Sequence, residues 1–577
     1  MQGRSIERPN FVCFVTSVAR KGAKEMRGLI VVAVVLIAVS GSAQEIDIEA
    51  IAKAIRTEAV RKNDDPAGRP LPLAGHWNTG HYPRAQGMDP AFEIGLVEKG
   101  HYVLPSFHHQ PYWHKGWASV GEKYYGAAIK KAAILRLPLT FLGTQWERGL
   151  TDDQAFFGRP ADKNPNVITP DGKILKKVSP FGPVDAWREV GRKWTATPAF
   201  RKLQEQYPEP PRVIFLSNNE HAKLRWHQAE TSKRYVDKHG LGKSDNFKRK
   251  VIGAGWIERY RALQAGMREG LTSKAWKKNA IFVGYEAFGP AHFGRWGGWK
   301  EYSLILKGPV PQYSVILKGR VTPWPLAWDG GTPSYYVHNW NPSTDYTVWS
   351  PHVESNNWPF MLDEAWKLNP KFWWEVSVWD GYQPKLKNCM RKTYAKRGQT
   401  YGPERYRGFV QFGMWLLRPR VVREFRGWTD DVKTMMPYYK EILASVKLAH
   451  ENKTLREFWR NGKLVPNRAQ KHPYQQNIPA EYRNVERWFL LDTSLTPKRP
   501  WTLNTEIPVW AIALVIGRPP KCTWLVYAQS PVRHRKNVKI AIGLHRKITV
   551  DVSVGGSFYA VDGPTGRVRS VSDRGRP

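Results

Sequence analysis

Short apolar runs alternate along the chain with longer segments of helical composition, from about residue 70 to residue 425. Each run closes in polar or aromatic residues, as a buried parallel strand does where it leaves its sheet. The runs cover residues 72–76, 102–107, 137–143, 213–217, 280–285, 334–338, 372–378 and 408–414. Eight such strands with helical connections predict an α/β fold, the (β/α)8 TIM barrel. A doubly wound open sheet would carry a Gly-rich phosphate turn, which the sequence lacks.

Helical spacing between these runs is clearest at residues 121–133, 184–207 and 219–239, where charged and apolar residues alternate. A further short helix is predicted at residues 45–64, ahead of the first strand. The predicted barrel domain therefore covers residues 44–428.

The pattern changes after about Glu424. Residues 429–504 predict a helical and Pro-rich connector with one or two helices, including one at 434–452. Five strand-like runs follow, separated by Gly, Pro and basic turns, at residues 507–516, 523–528, 538–542, 548–552 and 557–561. They predict a small antiparallel β-sandwich domain over residues 505–563. Residues 564–577 are polar and basic and form a predicted tail.

The first 43 residues read as a leader that ends in a secretory signal. A charged start at Met26 precedes the apolar residues 29–39, and small residues lead up to Ala43. This pattern predicts cleavage before Gln44 and a secreted or periplasmic protein. Met26 stands where a signal peptide begins, so we interpret it as the true start; a longer leader or an uncleaved anchor is the alternative. The apolar run is short for a bilayer span, so no stable membrane span is predicted after cleavage.

Composition narrows the candidate functions. The chain has 577 residues, of which 41% are hydrophobic and 24% charged, as in globular proteins. It also has 27 Trp, whose flat faces suit sugar rings, although many of them are expected to fill the core. The net charge of +39 calls for an anionic partner or a solvated basic surface. No nucleic-acid-binding signature occurs, so nucleic acid is not predicted as a partner. The predicted anionic partner is an anionic or sulfated polysaccharide.

Cysteine and histidine usage predicts neither a cofactor nor a metal site. The three Cys stand at positions 13, 389 and 522, and the first lies in the leader. At most one disulfide is therefore available to the mature chain, and spacing does not fix whether Cys389 and Cys522 pair. The candidate histidines His76, His108 and His109 have no carboxylate at ligand spacing beside them.

In a TIM barrel, function lies on the loops that follow the strands. Polar and aromatic residues dominate these positions, which a purely structural barrel would not need. Tryptophans among them are candidates for stacking on sugar rings, and the polar residues for binding hydroxyl or sulfate groups. The predicted substrate-binding residues are His76, Trp146, Asn219, Tyr285, Asn339, Trp340, Trp379, Asp380 and Trp415.

Two glutamates are the candidate catalytic residues. Glu220 follows the fourth run, and Glu375 lies in the seventh. Cleaving a glycosidic bond needs one carboxylic acid to protonate the leaving oxygen and one carboxylate at the anomeric carbon. A separation of about 5–5.5 Å gives retention through a covalent intermediate, and a wider gap gives inversion. Two strands that face one another across a barrel mouth can hold the short gap.

This arrangement resembles the clan A retaining glycoside hydrolases, (β/α)8 barrels with an Asn-Glu pair after strand four and a Glu at the end of strand seven. The resemblance rests on Asn219-Glu220 and on Glu375. It implies that Glu220 is the acid/base, Glu375 the nucleophile and Asn219 a contact to the sugar 2-hydroxyl. It also implies an appended β-sandwich. The sequence departs from the family pattern at His221, where Pro is frequent, and at Val376, where Gly or an aromatic residue is usual.

The sequence therefore predicts a secreted retaining glycoside hydrolase that cleaves a polysaccharide, with an anionic or sulfated one among the candidates. The alternatives are a non-catalytic carbohydrate-binding barrel, a polysaccharide lyase and a basic envelope protein. Either glutamate could instead form a structural salt bridge to Arg, and Glu375 could lie inside the barrel with Asp380 at the rim. The carboxylates that would then take their place are Glu147, Glu286 and Glu354.

Overall fold

A computed structural model of the chain describes residues 12–14, 35–37, 69–77, 90–108, 118–143, 145–217, 222–285, 324–332, 334–337, 362, 366, 369–380, 392, 394–396, 398, 401–425, 432–467, 489–496, 507–543 and 546–571. The strands in chain order are β1 Val12–Phe14, β2 Val35–Ile37, β3 Leu73–Trp77, β4 Ser106–His108, β5 Leu139–Gly143, β6 Asn166–Ile168, β7 Ile174–Val178, β8 Val213–Ser217, β9 Ala280–Tyr285, β10 Gly330–Thr332, β11 Ser334–Tyr336, β12 Trp373–Trp379, β13 Val421–Phe425, β14 Lys463–Leu464, β15 Trp510–Arg518, β16 Lys521–Gln529, β17 Arg535–Ile542, β18 Arg546–Val552, β19 Ser557–Asp562 and β20 Val568–Ser570.

The α-helices in chain order are α1 Pro90–Glu98, α2 Ala118–Ile134, α3 Gly149–Asp152, α4 Gln154–Phe157, α5 Val184–Thr195, α6 Pro198–Gln206, α7 Lys233–His239, α8 Asp245–Gly270, α9 Lys274–Asn279, α10 Trp324–Ala327, α11 Pro403–Leu417, α12 Val432–Glu451 and α13 Lys453–Asn461. Two 3-10 helices cover Trp146–Arg148 and Trp226–Thr231.

Eight parallel strands form a nearly closed barrel, as the sequence predicts. Their order is β3-β13-β12-β10-β9-β8-β5-β4. The short segments β10 and β11 both pair with β12 and together occupy one strand position. Ala74 of β3 forms a parallel bridge with Val103, just before β4, and so joins the two ends of the sheet. The α/β barrel with an antiparallel domain after it is thus confirmed.

The eighth strand lies later in the chain than predicted. The apolar run 408–414 is part of helix α11, and β13 follows it. The prediction failed because α11 is buried nearly all round, from Tyr406 to Leu417, which removes the polar stripe of a surface helix. Strand β13 was not predicted, because two charged residues interrupt its apolar run. These residues, Arg423 and Glu424, are both fully buried.

Helix predictions held in part. Residues 121–133 lie in α2, and residues 434–451 lie in α12. The predicted helix 184–207 is two helices, α5 and α6, because Thr197 caps a new start by accepting a hydrogen bond from Phe200 N. The predicted helix 219–239 is a 3-10 helix followed by α7 within the described residues. The predicted helix at 45–64 lies outside the described residues.

Side chains alternate between the barrel interior and the surrounding helices. Phe141, Phe215 and Phe282 point outward, with neighbouring ring centroids 5.7 and 5.2 Å apart. Their strand neighbours Ile214 and Val283 belong to the inner cluster. This alternation with a period of two determines which side chains of each barrel strand point inward and which point outward.

Helices α5 and α8 approach each other closely on the outside of the barrel. A Cβ on Gly191 would stand 2.0 Å from Leu263 O, and one on Gly266 would stand 1.9 Å from Arg188 O. Only glycine permits backbones so near to each other. This contact holds α8, the longest of the described helices, against the layer that encloses β5 and β8.

The antiparallel strands that follow α13 pack as two layers. One sheet has the order β14-β15-β16-β19-β20, and β17 pairs with β18 as a separate hairpin. One face of the larger sheet packs on α11 through Tyr527, whose hydroxyl donates to Gly408 O. Its other face packs on the hairpin through residues such as Val526 and Ile540. Strand β20 falls in the segment that the sequence analysis assigned to the tail.

Candidate active site at the carboxyl ends of the barrel strands

The loops that follow the barrel strands are the expected site of function. The segments 78–89, 109–117, 144, 218–221, 286–323, 338–361, 381–391 and 426–431 lie outside the described residues. They include the predicted site residues Asn219, Glu220, Asn339 and Trp340, together with Glu286 and Glu354. The roles assigned to these residues stay predictions.

Aromatic side chains close the barrel interior at this end. Trp77 of β3 and Tyr285 of β9 meet across the barrel axis with ring centroids 4.7 Å apart. Trp379 of β12 packs edge-on against Phe425 of β13 at 5.4 Å. All four are the last residues of their strands and are almost fully buried. The interior is therefore packed up to the level at which the loops begin.

A buried ion pair occupies the other half of the interior. Arg423 of β13 pairs with Glu375 of β12 through two contacts, Nε to Oε2 and Nη2 to Oε1, the second at 3.0 Å. Arg423 Nη2 also donates to Thr140 Oγ1 across the barrel, at 3.2 Å. Glu375 Oε1 accepts a further bond from Trp373 Nε1, at 2.8 Å. Both oxygens of the carboxylate are thus engaged.

The predicted position of Glu375 at the rim is wrong. It is the third of seven residues in β12, and the rim begins four residues later, roughly 13 Å along the strand. Neither Glu375 nor Arg423 has solvent exposure. Arg423 forms the structural salt bridge that was left open as an alternative for Glu375, and it explains the difference, because a buried carboxylate is stable only where a cation and hydrogen bonds compensate it. The alternative with Glu375 inside the barrel agrees with the structure.

Asp380 is the carboxyl group directly after the seventh strand. Its side chain lies on the outer face, where Oδ1 accepts a bond from Arg405 Nη1 at 2.9 Å. Arg405 also donates to Val337 O, at 3.0 Å. Asp380 Oδ2 is buried and accepts no hydrogen bond from the described residues. Burial raises the pKa of Asp380 to about 7, while the charge of Arg405 limits the rise.

Glu424 lies beside Asp380 in the same layer between strands and helices. Tyr406 of α11 donates to Val378 O at 3.3 Å, and its hydroxyl is 3.5 Å from Glu424 Oε2. Burial, followed by the charge of Asp380, raises the pKa of Glu424 well above its usual range. Two carboxyl groups that share one buried layer do not ionise together readily.

Two predicted substrate-binding residues face away from the mouth. His76 points outward, with Nε2 3.3 Å from Met435 Sδ and its ring 5.9 Å from that of Tyr439. Trp146 is fully buried in the outer layer, where its ring packs edge-on against Trp194 at 5.3 Å. Their predicted placement at the open mouth is wrong, because both side chains pack in the layer between the strands and the helices.

Trp415 also lies away from the barrel mouth. It lies in helix α11 and not after a strand, so the expected position at the rim is wrong. Its ring contacts Trp459 of α13 at 5.2 Å and Phe558 of β19 at 5.4 Å. It therefore packs the barrel's outer helices against the C-terminal sheet.

Glu147, considered as a replacement carboxylate, is also held in the outer layer. Its Oε1 accepts a hydrogen bond from Tyr260 at 2.8 Å and lies 3.5 Å from Lys223 Nζ. Burial raises the pKa of Tyr260 well above its usual range, and Glu147 adds to the rise. These contacts belong to the packing of α8 and not to the barrel axis.

Trp77 follows the first apolar run but was not among the predicted substrate-binding residues, and Phe425 was not predicted at the site at all. Gly75, two residues before Trp77, leaves room for Arg423, whose Nη1 would stand 3.1 Å from a Cβ there. A glycine that faces the interior places Trp77 on the same face. Phe425 could not be assigned without the correct eighth strand.

Other features bear on the site only indirectly. Among the residues described, no group of three or more His, Cys, Asp or Glu could hold a metal ion. Nor is any described helix long and apolar enough to cross a membrane. Cys522 is a buried free thiol, and Cys389 lies outside the described residues.

Comparison with known proteins adds little beyond the geometry. No protein-family model matches the chain, and no curated protein does. Among solved structures, AmyP in complex with maltose is similar at 10% identity over 89% of this chain and 90% of that chain, with a TM-score of 0.26. A variant of AmyP in complex with maltotriose covers 75% of this chain and 88% of its own at 10% identity, with a TM-score of 0.23. TM-scores this low carry no argument about function, so any functional assignment depends on the barrel of this chain itself.

Proposed function

We propose that the protein is an exported glycoside hydrolase that cleaves a polysaccharide at the carboxyl ends of the barrel strands. One observation supports the proposal above the others. Asp380 follows the seventh strand directly and is buried beside the aromatic end of the barrel, with one carboxyl oxygen unbonded by any described residue. A buried carboxyl group with a raised pKa and an unbonded oxygen, placed at the functional end of a barrel, is a candidate for one of the two carboxyl groups that sugar chemistry requires.

In this proposal Glu220 is the acid/base and Asp380 replaces Glu375 as the second carboxyl group. Glu220 gives its proton to the leaving oxygen while Asp380 attacks the anomeric carbon and forms a glycosyl ester. Water then attacks the ester, and Glu220 takes the water proton, which returns both groups to their starting states. Because Asp380 faces the outer layer beside Arg405, its attack requires a change in the backbone that follows β12, which turns the carboxyl group towards the barrel axis.

The raised pKa of Asp380 gives this mechanism a pH signature. The attacking carboxyl group must be ionised, and its pKa is about 7. Turnover should therefore rise as pH increases through about 7 and fall again where Glu220 loses its proton.

A second candidate is a carbohydrate-binding barrel without catalysis. The observation that favours it is the engagement of both Glu375 oxygens by Arg423 and Trp373, which removes the carboxylate that the resemblance assigns as nucleophile. The aromatic end of the barrel would then bind sugar rings without cleaving them.

Hydrolysis of a panel of neutral and sulfated polysaccharides, with product analysis, separates the two candidates. We expect Glu220→Gln and Asp380→Asn each to lower turnover at least about a thousandfold. The matched control is Glu98→Gln, which removes an exposed carboxylate of α1 and should leave turnover unchanged. Binding of a polymer without cleavage would favour the second candidate, and wild-type turnover in Glu220→Gln would remove the assignment. The first residue of protein recovered outside the cell, expected to be Gln44, tests export.

A further inference from the structure

The hairpin β17–β18 presents two chemically different faces. Along both strands every second residue is buried against the larger sheet, and the residues between them are mostly exposed. The buried set is entirely aliphatic and consists of Val538, Ile540, Ile542, Ile548, Val550 and Val552. This apolar face fixes which side chains point to solvent.

The exposed face is basic. Lys539 stands opposite Thr549, and Lys547 stands opposite Ala541. The two lysines are therefore diagonal neighbours on adjacent strands, roughly 7–8 Å apart at Cα. Lys536 is exposed beside the irregularity between Arg535 and Val538. We call Lys536, Lys539 and Lys547 the hairpin lysines.

The surrounding domain does not neutralise this charge. Residues 507–571 contain ten Lys and Arg but two acidic residues, Asp551 and Asp562. Asp551 Oδ1 accepts a bond from Asn537 N at 2.9 Å, and Asp562 Oδ1 accepts one from Thr565 N at 2.8 Å. Within the described part of the chain, none of the hairpin lysines forms an ion pair. Three like charges held on one rigid face favour an anionic partner.

We propose that the hairpin lysines bind an anionic polysaccharide and hold it on the C-terminal domain. The proposal rests on the proposed function only for the choice of a carbohydrate polymer. A two-stranded face is extended and offers charges at intervals along its length, which suits the repeated sulfate or carboxylate groups of a linear chain. The ammonium groups act as point charges and require no fixed orientation of these groups.

Two other polyanions fit the same face less well. Proteins that bind single-stranded nucleic acid stack bases on aromatic side chains, and no aromatic residue occurs at the outward positions of the described hairpin. Binding to an anionic membrane is usually reinforced by apolar residues that enter the lipid. The outward positions of the described strands offer no apolar side chain larger than that of Ala541.

The test measures binding of the full mature chain to dextran sulfate, with unsulfated dextran as the neutral probe. The variant carries Lys536→Gln, Lys539→Gln and Lys547→Gln together. Its matched control carries Lys163→Gln, Lys277→Gln and Lys278→Gln, which remove the same charge from exposed positions on the barrel domain. Single-stranded DNA and phosphatidylserine vesicles serve as the competing polyanions.

We expect the hairpin variant to bind dextran sulfate at least about tenfold more weakly, with a smaller salt dependence of the dissociation constant. The control should change the constant less than about threefold. Equal weakening in both variants, or none in the hairpin variant, would overturn the proposal, as would DNA or vesicles that bind more tightly and with the same sensitivity. Because binding is measured without turnover, loss of the hydrolase assignment leaves this result intact.

Discussion

Glu375 in β12 and Asp380 directly after it are buried carboxyl groups that have different hydrogen-bond partners. They are five residues apart on or next to β12, and neither is exposed. The odd separation places Glu375 inside the barrel and Asp380 outside it. Both carboxylate oxygens of Glu375 accept hydrogen bonds, and Arg423 contacts each of them. Asp380 has one oxygen bonded by Arg405 and the other without a partner among the described residues.

The difference shows that two equally buried carboxyl groups can differ in how fully hydrogen bonds and a cation compensate their charge. A buried charge that is fully paired contributes to a unique packing but has little freedom to change its protonation or its contacts. Burial raises the pKa of Asp380 to about 7, and the charge and hydrogen bond of Arg405 offset the rise only in part. Mutations of the two groups should therefore affect different properties.

The largest effect is expected from Glu375→Gln, which leaves Arg423 as an uncompensated charge inside the barrel. Breaking a buried ion pair by removing one partner lowers the free energy of unfolding by about 3–5 kcal/mol. Urea denaturation measures this loss. Turnover of the remaining folded fraction should stay near the wild-type value, whereas a thousandfold loss with unchanged stability would make Glu375 the nucleophile.

A double variant provides the control for this interpretation. Glu375→Gln combined with Arg423→Met removes both charges, so the cavity no longer holds an unpaired cation. We expect the double variant to be more stable than Glu375→Gln alone. If the stability loss of the double variant equals the sum of the losses of Glu375→Gln and of Arg423→Met alone, the ion pair is not the source of the effect.

The next effect is a change in pH dependence from Asp380→Asn. A folded-state pKa raised from about 4 to about 7 stabilises the native state below pH 4 and loses that contribution as pH rises through about 7. The loss is on the order of 1 kcal/mol per pH unit over this interval. Relative to the wild type, Asp380→Asn should therefore gain stability between pH 4.5 and pH 7.5, as measured by urea midpoints. An unchanged difference at the two pH values would show that Asp380 does not titrate there.

The sequence predicted more of the fold than of the candidate site. Seven of the eight strands, the C-terminal strands and α12 follow from apolar runs and helical spacing, because burial of one face imposes a regular pattern. The eighth strand and the place of Glu375 depended on Arg423, whose charge conceals its strand and whose pairing can be seen only in three dimensions. The same limit applies to His76, since a residue near the end of a strand faces either the axis or the helices by register alone.

A smaller effect is expected at the aromatic end of the barrel. Trp77→Phe replaces a double ring by a single one and so reduces the contact area with Tyr285. It should lower the free energy of unfolding by about 1–2 kcal/mol. Trp373→Phe at the charged end is the matched control, since it removes a ring of the same type together with the bond to Glu375. If the aromatic end contacts sugar, only Trp77→Phe should weaken polysaccharide binding in a pull-down with insoluble polymer. Equal binding by both variants would place the sugar elsewhere.

The smallest effect separates paired from unpaired hydroxyl groups around Asp380 and Glu424. Tyr406→Phe removes a donor to Val378 O and should lower the free energy of unfolding by about 0.5–1.5 kcal/mol. Tyr439→Phe is its control, because the Tyr439 hydroxyl is equally buried but has no hydrogen-bond partner in the described part of the chain. Removing that hydroxyl should leave stability unchanged or raise it, since an unpaired buried polar group is unfavourable. Equal losses from both variants would mean that ring packing, and not hydrogen bonding, holds this layer together, and the distinction between compensated and uncompensated groups would not extend beyond the carboxylates.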